Sequence, residues 1–416
     1  MKKYKYILFA VSLILIVLLL KFPSFTGNLK ASKNISEEPV EIKYSREIQE
    51  VLTQFDSLLN INIQESGAVG GAVIITYKGQ IAMTKCYGVK KAGERSPVDE
   101  NTIFRLASVS KTITGVLAGI LANKNIINLD DKVINYIPDL KLKFDESTNS
   151  IAIRNLLSHT SGLIPYAFDG MVEDQVPLKQ IMERLNEVEI TAPPGLDYAY
   201  QNVMFSLFDI IVAEKTKKSF HSVVREMVFD PFGMKNASTD FESFQNNKNK
   251  AFPHQKTETG YTSIKLNDRY YITASAAGVN ASISDLGKFL IAISQKDDTL
   301  FSKEAREIVF TPQIKSNLKR SYYRNWDKIN SKHYAVGWRI IDYKDHKIAQ
   351  HGGYVAGYQS EIAVCEDEEI GIAILTNSPN SYFSEVVPTF LNLFFDYKNK
   401  LKQENTITEI EQVAKP

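Results

Sequence analysis

Apolar positions along the chain fall into three patterns. The first is an unbroken run, Tyr6 to Leu20, apolar except for one serine, preceded by Lys2, Lys3 and Lys5 and closed by Lys21. It predicts an export signal or short membrane anchor over residues 1–21 with its positive end inside. The run is shorter than the roughly 20 residues that span a bilayer comfortably. Leu29-Lys30-Ala31 is a poor cleavage site, so retention and cleavage are both open. Residues 22–44 are polar, with Pro23 and Pro39, and read as a tether.

The second pattern has helical spacing. It occurs at Ile48, Val51, Leu52, Phe55, Leu58 and Leu59, at Ile113, Val116, Leu117, Ile120 and Leu121, and at Leu207, Ile210 and Ile211. It returns at Leu286, Phe289, Leu290 and Ile293, where Ser284 is the expected N-cap, and from Glu385 to Tyr397. The third pattern is β-rich: Gly71–Tyr77 and Ile81–Val89 joined as a hairpin at Lys78-Gly79, then Tyr334–Tyr343, Lys347–His351, Gln359–Cys365 and Ile370–Thr376. Strands at both ends around a helical middle predict an α/β (α+β) domain over residues 45–398. Its one sheet is built from N- and C-terminal segments, with a mostly helical lobe inserted at about residues 106–330. The polar residues 399–416 read as a disordered tail.

Composition narrows the picture by exclusion. At 416 residues, 44% hydrophobic and 23% charged, the chain has material for a large core, and a net charge of +1 gives no argument for nucleic acid. Cys86 and Cys365 are the only cysteines, without zinc-site spacing, so the sequence supports no metal.

Chemistry enters at Ser108-Val109-Ser110-Lys111, immediately before the apolar helix face that begins at Ile113. Residues three apart are neighbours on a helix. Lys111 can therefore reach Ser108, burial favours its neutral form, and the helix N-terminus adds partial positive charge where an oxyanion would form. Alone the tetrad is weak, since Ser316-Asn317-Leu318-Lys319 also fits it and an ordinary serine with a solvated lysine explains it equally well. Two further motifs follow, Tyr200-Gln201-Asn202 after Pro193-Pro194-Gly195, and His351-Gly352-Gly353. Tyr-x-Asn also recurs at Tyr323 and Tyr397, so only its place between the other two motifs selects Tyr200.

In order and surroundings these motifs resemble the serine-reactive hydrolases that include class C β-lactamases, serine DD-carboxypeptidases and related esterases. The resemblance runs from about Ile48 to about Phe395 and includes Thr102-Ile103-Phe104-Arg105, Asn128-Leu129-Asp130-Asp131, His159 to Leu163, Pro231-Phe232-Gly233-Met234 and Ala277-Gly278. It implies an antiparallel β-lactamase/transpeptidase-like sheet flanked by helices. Ser108 would be the acylated nucleophile, Lys111 its partner, Tyr200 a proton relay and Asn202 an orienting amide. His351, Gly352, Gly353 and Tyr354 would line the substrate's path, with the amides of Ser108 and Tyr354 as oxyanion hole; His159 would be structural. No cofactor is implied.

The implied function is an exported serine hydrolase working through acyl-Ser108 on D-amino-acid peptides or esters of the cell envelope. A carboxylesterase and a β-lactamase are alternatives of the same fold, and a penicillin-binding sensor that does not turn over is the alternative outside it. Its partners would be a small-molecule or peptide acyl substrate and, through the N-terminal segment, a membrane. The third motif departs from the family pattern, because Gly352 stands where many members carry a Thr or Ser hydroxyl. That departure predicts weakened carboxylate recognition and favours an uncharged ester or an internal amide. The resembling sheet also places two strands between Cys86 and Cys365, which predicts two free thiols.

Overall fold

The β-rich runs from the two ends of the chain pair into one sheet. A computed structural model describes residues 46–296, 299–318, 320–327 and 329–413. The predicted export segment, residues 1–21, and the linker, residues 22–44, lie outside the described residues. Twelve strands occur among the described residues: β1 (Gly70–Tyr77), β2 (Gln80–Gly88), β3 (Ile103–Arg105), β4 (His254–Thr257), β5 (Gly260–Ser263), β6 (Asn280–Ser282), β7 (Ile314–Lys315), β8 (Ile329–Tyr334), β9 (Arg339–Tyr343), β10 (His346–Val355), β11 (Tyr358–Cys365) and β12 (Ile370–Thr376). Eight form the main sheet in the order β2-β1-β12-β11-β10-β9-β8-β7, and every pairing in it is antiparallel. The β1–β2 hairpin turns at Lys78 and Gly79, both with positive φ (46° and 74°), the geometry a two-residue turn needs to match the strands' twist.

Strands β1 and β12 are buried along their whole length, which is why both read as continuous apolar runs rather than alternating ones. One face of the sheet, Val73 and Ile75 among it, packs on helices α1 (Arg46–Ser66) and α6 (Phe383–Val413). The other face, with Ala72 and Ile74, joins the core of the helical lobe. The longer helices of that lobe are α2 (Ser110–Asn123), α3 (Asn202–Thr216), α4 (Ile283–Ser294) and α5 (Lys303–Phe310).

Three expectations change. The run Tyr334–Tyr343 is two strands, because Gly337 takes φ 76° and turns the chain between β8 and β9. Helix α4 is capped by Ser282 rather than Ser284, with Asp285 closing a capping box. Residues 399–413, expected as part of a disordered tail, are helical: α6 continues to Val413, through a polar segment free of Gly and Pro and rich in Lys, Glu and Gln.

Candidate active site

The turn that carries Ser108 is gripped from two sides. Strand β3 pairs with β6, after which the Leu106 N–H donates to the Val279 carbonyl (2.9 Å). From the main sheet, Ser360 Oγ on β11 donates to the Leu106 carbonyl (2.5 Å). Ala107 is held at φ 47°, a conformation costly for a residue with a Cβ that persists only where its surroundings enforce it. Ser108 sits in the 3-10 turn Ala107–Val109, just before α2 rather than in its first turn as expected. Lys111 is the second residue of α2. Strand β10 passes so close that a Cβ on Gly353 would stand 2.4 Å from the Leu106 carbonyl and 2.9 Å from the Ser108 nitrogen. Only glycine fits there.

Lys111 is fully buried. Its Nζ donates to Asn202 Oδ1 (2.7 Å) and to the Ala276 carbonyl (2.9 Å). Burial pushes its pKa well below that of an ordinary lysine, against the pull of Asp169 and with help from Arg339. A neutral amine has two hydrogens and one lone pair. Both hydrogens are spoken for, which leaves the lone pair for a proton. The Tyr200 ring lies 4.7 Å from Nζ. Its hydroxyl is buried without a hydrogen-bond partner. Burial drives that phenol's pKa upward, while Arg339 and, less strongly, the neighbouring Ser108 side chain act in the opposite sense.

Ser108, Tyr200, Asn202, Gly352, Gly353 and Tyr354 all line one cleft of about 470 Å³. A larger hollow of about 960 Å³, bordered by Arg324, Lys332 and Asp396, contains none of these residues, so chemistry rather than volume selects the site.

His351 corrects the expectation of a substrate-binding side chain: it is fully buried and does not line the cleft. Its Nδ1 donates to the Gly352 carbonyl (2.8 Å), which leaves Nε2 to accept from the Tyr334 hydroxyl (3.1 Å). Burial, reinforced by Arg339 and Lys111, keeps the ring neutral. His159, expected to be structural, is fully buried. It accepts the Gln201 N–H at Nδ1 (3.2 Å) and packs 4.2 Å from the Tyr200 ring.

Sequence reasoning missed Asp169, Tyr322, Arg339 and Glu361, which also line the cleft. Arg339 lies on β9, opposite Gln350 of β10. It is only 6% exposed, and its Nε and one Nη are buried without partners. Its guanidinium stacks 4.8 Å from the Tyr322 ring. The Tyr322 hydroxyl stands 2.9 Å from where a Gly352 Cβ would be. A tyrosine hydroxyl thus fills the place for which the third motif supplies no side chain. Glu361 pairs opposite Gly352 and accepts from Gln350 (2.6 Å); burial raises its pKa to about 7. The only early signal was a charged residue, Arg339, directly before the apolar pair Ile340-Ile341. Among the described residues no group of three or more His, Cys, Asp or Glu side chains is arranged to hold a metal ion.

The profile of the Beta-lactamase family matches residues 49–392. Protein flp of Staphylococcus aureus (strain MRSA252) is 25% identical over 342 residues, which are 80% of this chain and 64% of flp. The unguisins hydrolase ungD' of Aspergillus campestris (strain IBT 28561) is 23% identical over 334 residues, 78% of this chain and 61% of that protein. The chain therefore spans less than two thirds of these relatives' length. In fold it is similar to the octameric penicillin-binding protein homologue from Pyrococcus abyssi, with a TM-score of 0.69 at 22% identity, over 82% of this chain and 76% of that one.

Proposed function

This chain belongs to the beta-lactamase family, and from that premise we propose that it is a serine hydrolase working through an acyl-Ser108 intermediate. The observation that carries the reading is Lys111, three residues after Ser108, buried, held by Asn202 and Ala276, with its Nζ 4.7 Å from the Tyr200 ring. Ser108 Oγ attacks the substrate carbonyl and its proton passes to Lys111 Nζ. The C–N or C–O bond to the leaving group then breaks. That group takes a proton from Lys111 through Tyr200, leaving an ester on Ser108 that water hydrolyses by the reverse proton path. Tyr200 is a relay in this scheme and not a resting base, since burial opposes its phenolate while it favours neutral Lys111.

The substrates proposed are D-amino-acid peptides or esters of the cell envelope, reached by an exported chain held at the membrane through residues 1–21. Arg339 favours a leaving group with a carboxylate over an uncharged ester, because a buried cation with unpartnered donors is stabilised most by an anion. A β-lactam carboxylate fits the same place, so β-lactamase activity is the second reading. The test is acylation of the full chain by a fluorophosphonate, followed by turnover of a D-Ala-D-Ala peptide, a nitrophenyl ester and a chromogenic cephalosporin. Ser108→Ala removes labelling and Lys111→Ala slows it by several orders of magnitude, on the order of 10⁴-fold, with the fold retained. Undiminished labelling of Ser108→Ala refutes the assignment, and labelling without turnover of any substrate favours the sensor.

A further inference from the structure

The cleft holds a second unbalanced charge. Asp169, on the helical lobe, lines it together with Tyr166 and Tyr270. Its Oδ2 accepts from Asn202 Nδ2 (2.8 Å), so Asn202 bridges Asp169 to Lys111. Its Oδ1 is buried with no partner. The Tyr166 and Tyr200 rings lie 5.6 Å apart, and Tyr270 is fixed by donating its hydroxyl to Glu173 (2.9 Å). A fixed carboxylate with one unpartnered oxygen, in a cleft that Tyr166 and Tyr270 also line, matches an ammonium group, which has three donors and is attracted to aromatic rings.

We propose that Asp169 binds an ammonium group on the acyl part of the substrate, so that the preferred acyl donors are aminoacyl esters or peptides with a free α-amine. The proposal rests on the acyl-Ser108 reading above and names the substrate class of that site. The anion-binding Arg339 belongs to the sheet and Asp169 to the lobe, while Ser108 lines the cleft that both border. An acyl donor seated on Asp169 and a leaving group seated on Arg339 would place the scissile carbonyl between them. The cation also has a chemical consequence. Asp169 is the carboxylate whose charge favours protonated Lys111. An ammonium bound to Asp169 cancels that pull and frees the lysine's lone pair, so a free amine on the substrate raises kcat as well as lowering KM.

The experiment compares D-alanyl and N-acetyl-D-alanyl nitrophenyl esters on the full-length wild type, Asp169→Asn and Asp169→Glu. Fluorophosphonate labelling of Ser108 is the independent check of each protein. The wild type prefers the free amine by about tenfold or more in kcat/KM, the worth of one charge-assisted hydrogen bond. Asp169→Asn keeps an acceptor for Asn202 and loses this preference, and Asp169→Glu restores most of it. A wild type that shows no preference overturns the inference, whatever the variants do. So does an Asp169→Asn protein in which both donors slow equally, since Asp169 would then act only by positioning Asn202 and Lys111. Loss of Ser108 labelling in the wild type removes the acyl-Ser108 reading itself and the inference with it.

Discussion

At the scale of single residues, burial acts on Lys111 and Tyr200 in opposite directions, which is what separates the roles proposed for them. It lowers the lysine, whose charged form is the protonated one, and raises the phenol, whose charged form is the deprotonated one. The same argument applied to Arg339 gives a prediction. Its desolvated guanidinium has two unpartnered nitrogens and cannot shed its charge by deprotonating. Arg339→Gln should therefore lower kcat/KM for D-Ala-D-Ala peptides and cephalosporins by about 10- to 100-fold relative to a neutral nitrophenyl ester, which is about 1.4 to 3 kcal/mol. Equal losses on all three substrates would show that the guanidinium only supports the fold. Ser108, Lys111, Tyr200 and Asn202 could be named from the sequence because three short motifs, each weak alone, follow one another in an order that resembles a known family. Asp169, Tyr322 and Arg339 could not, because each gains its meaning from a neighbour distant along the chain: Asn202, Gly352 and Gln350 respectively. His351 shows the converse. Its motif was legible, but the burial that turns its ring toward Tyr334 is a tertiary fact.

At the scale of elements, the site depends on how closely β10 approaches the turn before α2. Both elements were visible as patterns, the strand as Lys347–His351 and the helix by its apolar face, yet no periodicity states the gap between them. That gap is set by Gly353, where an added Cβ would meet the Leu106 carbonyl at 2.4 Å and Ser360 Oγ at 2.6 Å. The first of these is backbone and cannot swing aside. Gly353→Ala must move β10 or the Ala107–Val109 turn, and a misplacement near 1 Å costs catalysis about 10²-fold. The expected result is a folded protein whose Ser108 labels roughly 100-fold more slowly, with circular dichroism unchanged. Labelling at the wild-type rate would mean that the nucleophile does not depend on this contact. The division of Tyr334–Tyr343 into β8 and β9 follows the same logic. The residues between the strands are apolar and read as strand, but Gly337 at φ 76° reverses the chain.

At the scale of the whole molecule, the two ends of the chain close one fold. The strand order sets β1 and β12 between Cys86 on β2 and Cys365 on β11, a spacing of roughly 14 Å for three strand steps, and both thiols are free. The outer face of that sheet is covered by the first and last helices among the described residues. Phe55 of α1 meets Phe390 of α6 edge-on at 5.3 Å, and Val386, Val387, Leu391, Phe394 and Phe395 are buried in the same layer. Each such side chain contributes about 1.5 to 3 kcal/mol on burial, so six of them together outweigh much of the 5 to 15 kcal/mol by which a domain is usually stable. From Asn399 to Glu404 the helix presents a different surface, with Asn399, Lys400, Lys402, Gln403 and Glu404 exposed. A chain ending at residue 398 should therefore fold, keep its unfolding free energy in urea to within about 1 kcal/mol and label at Ser108 as the full chain does. A chain ending at residue 382 loses the whole apolar face of α6 and should show neither a cooperative urea transition nor labelling. If the shorter chain still unfolds cooperatively, the sheet needs no cover from α6. If the longer one fails, the polar end of that helix holds the molecule together through contacts its composition does not suggest.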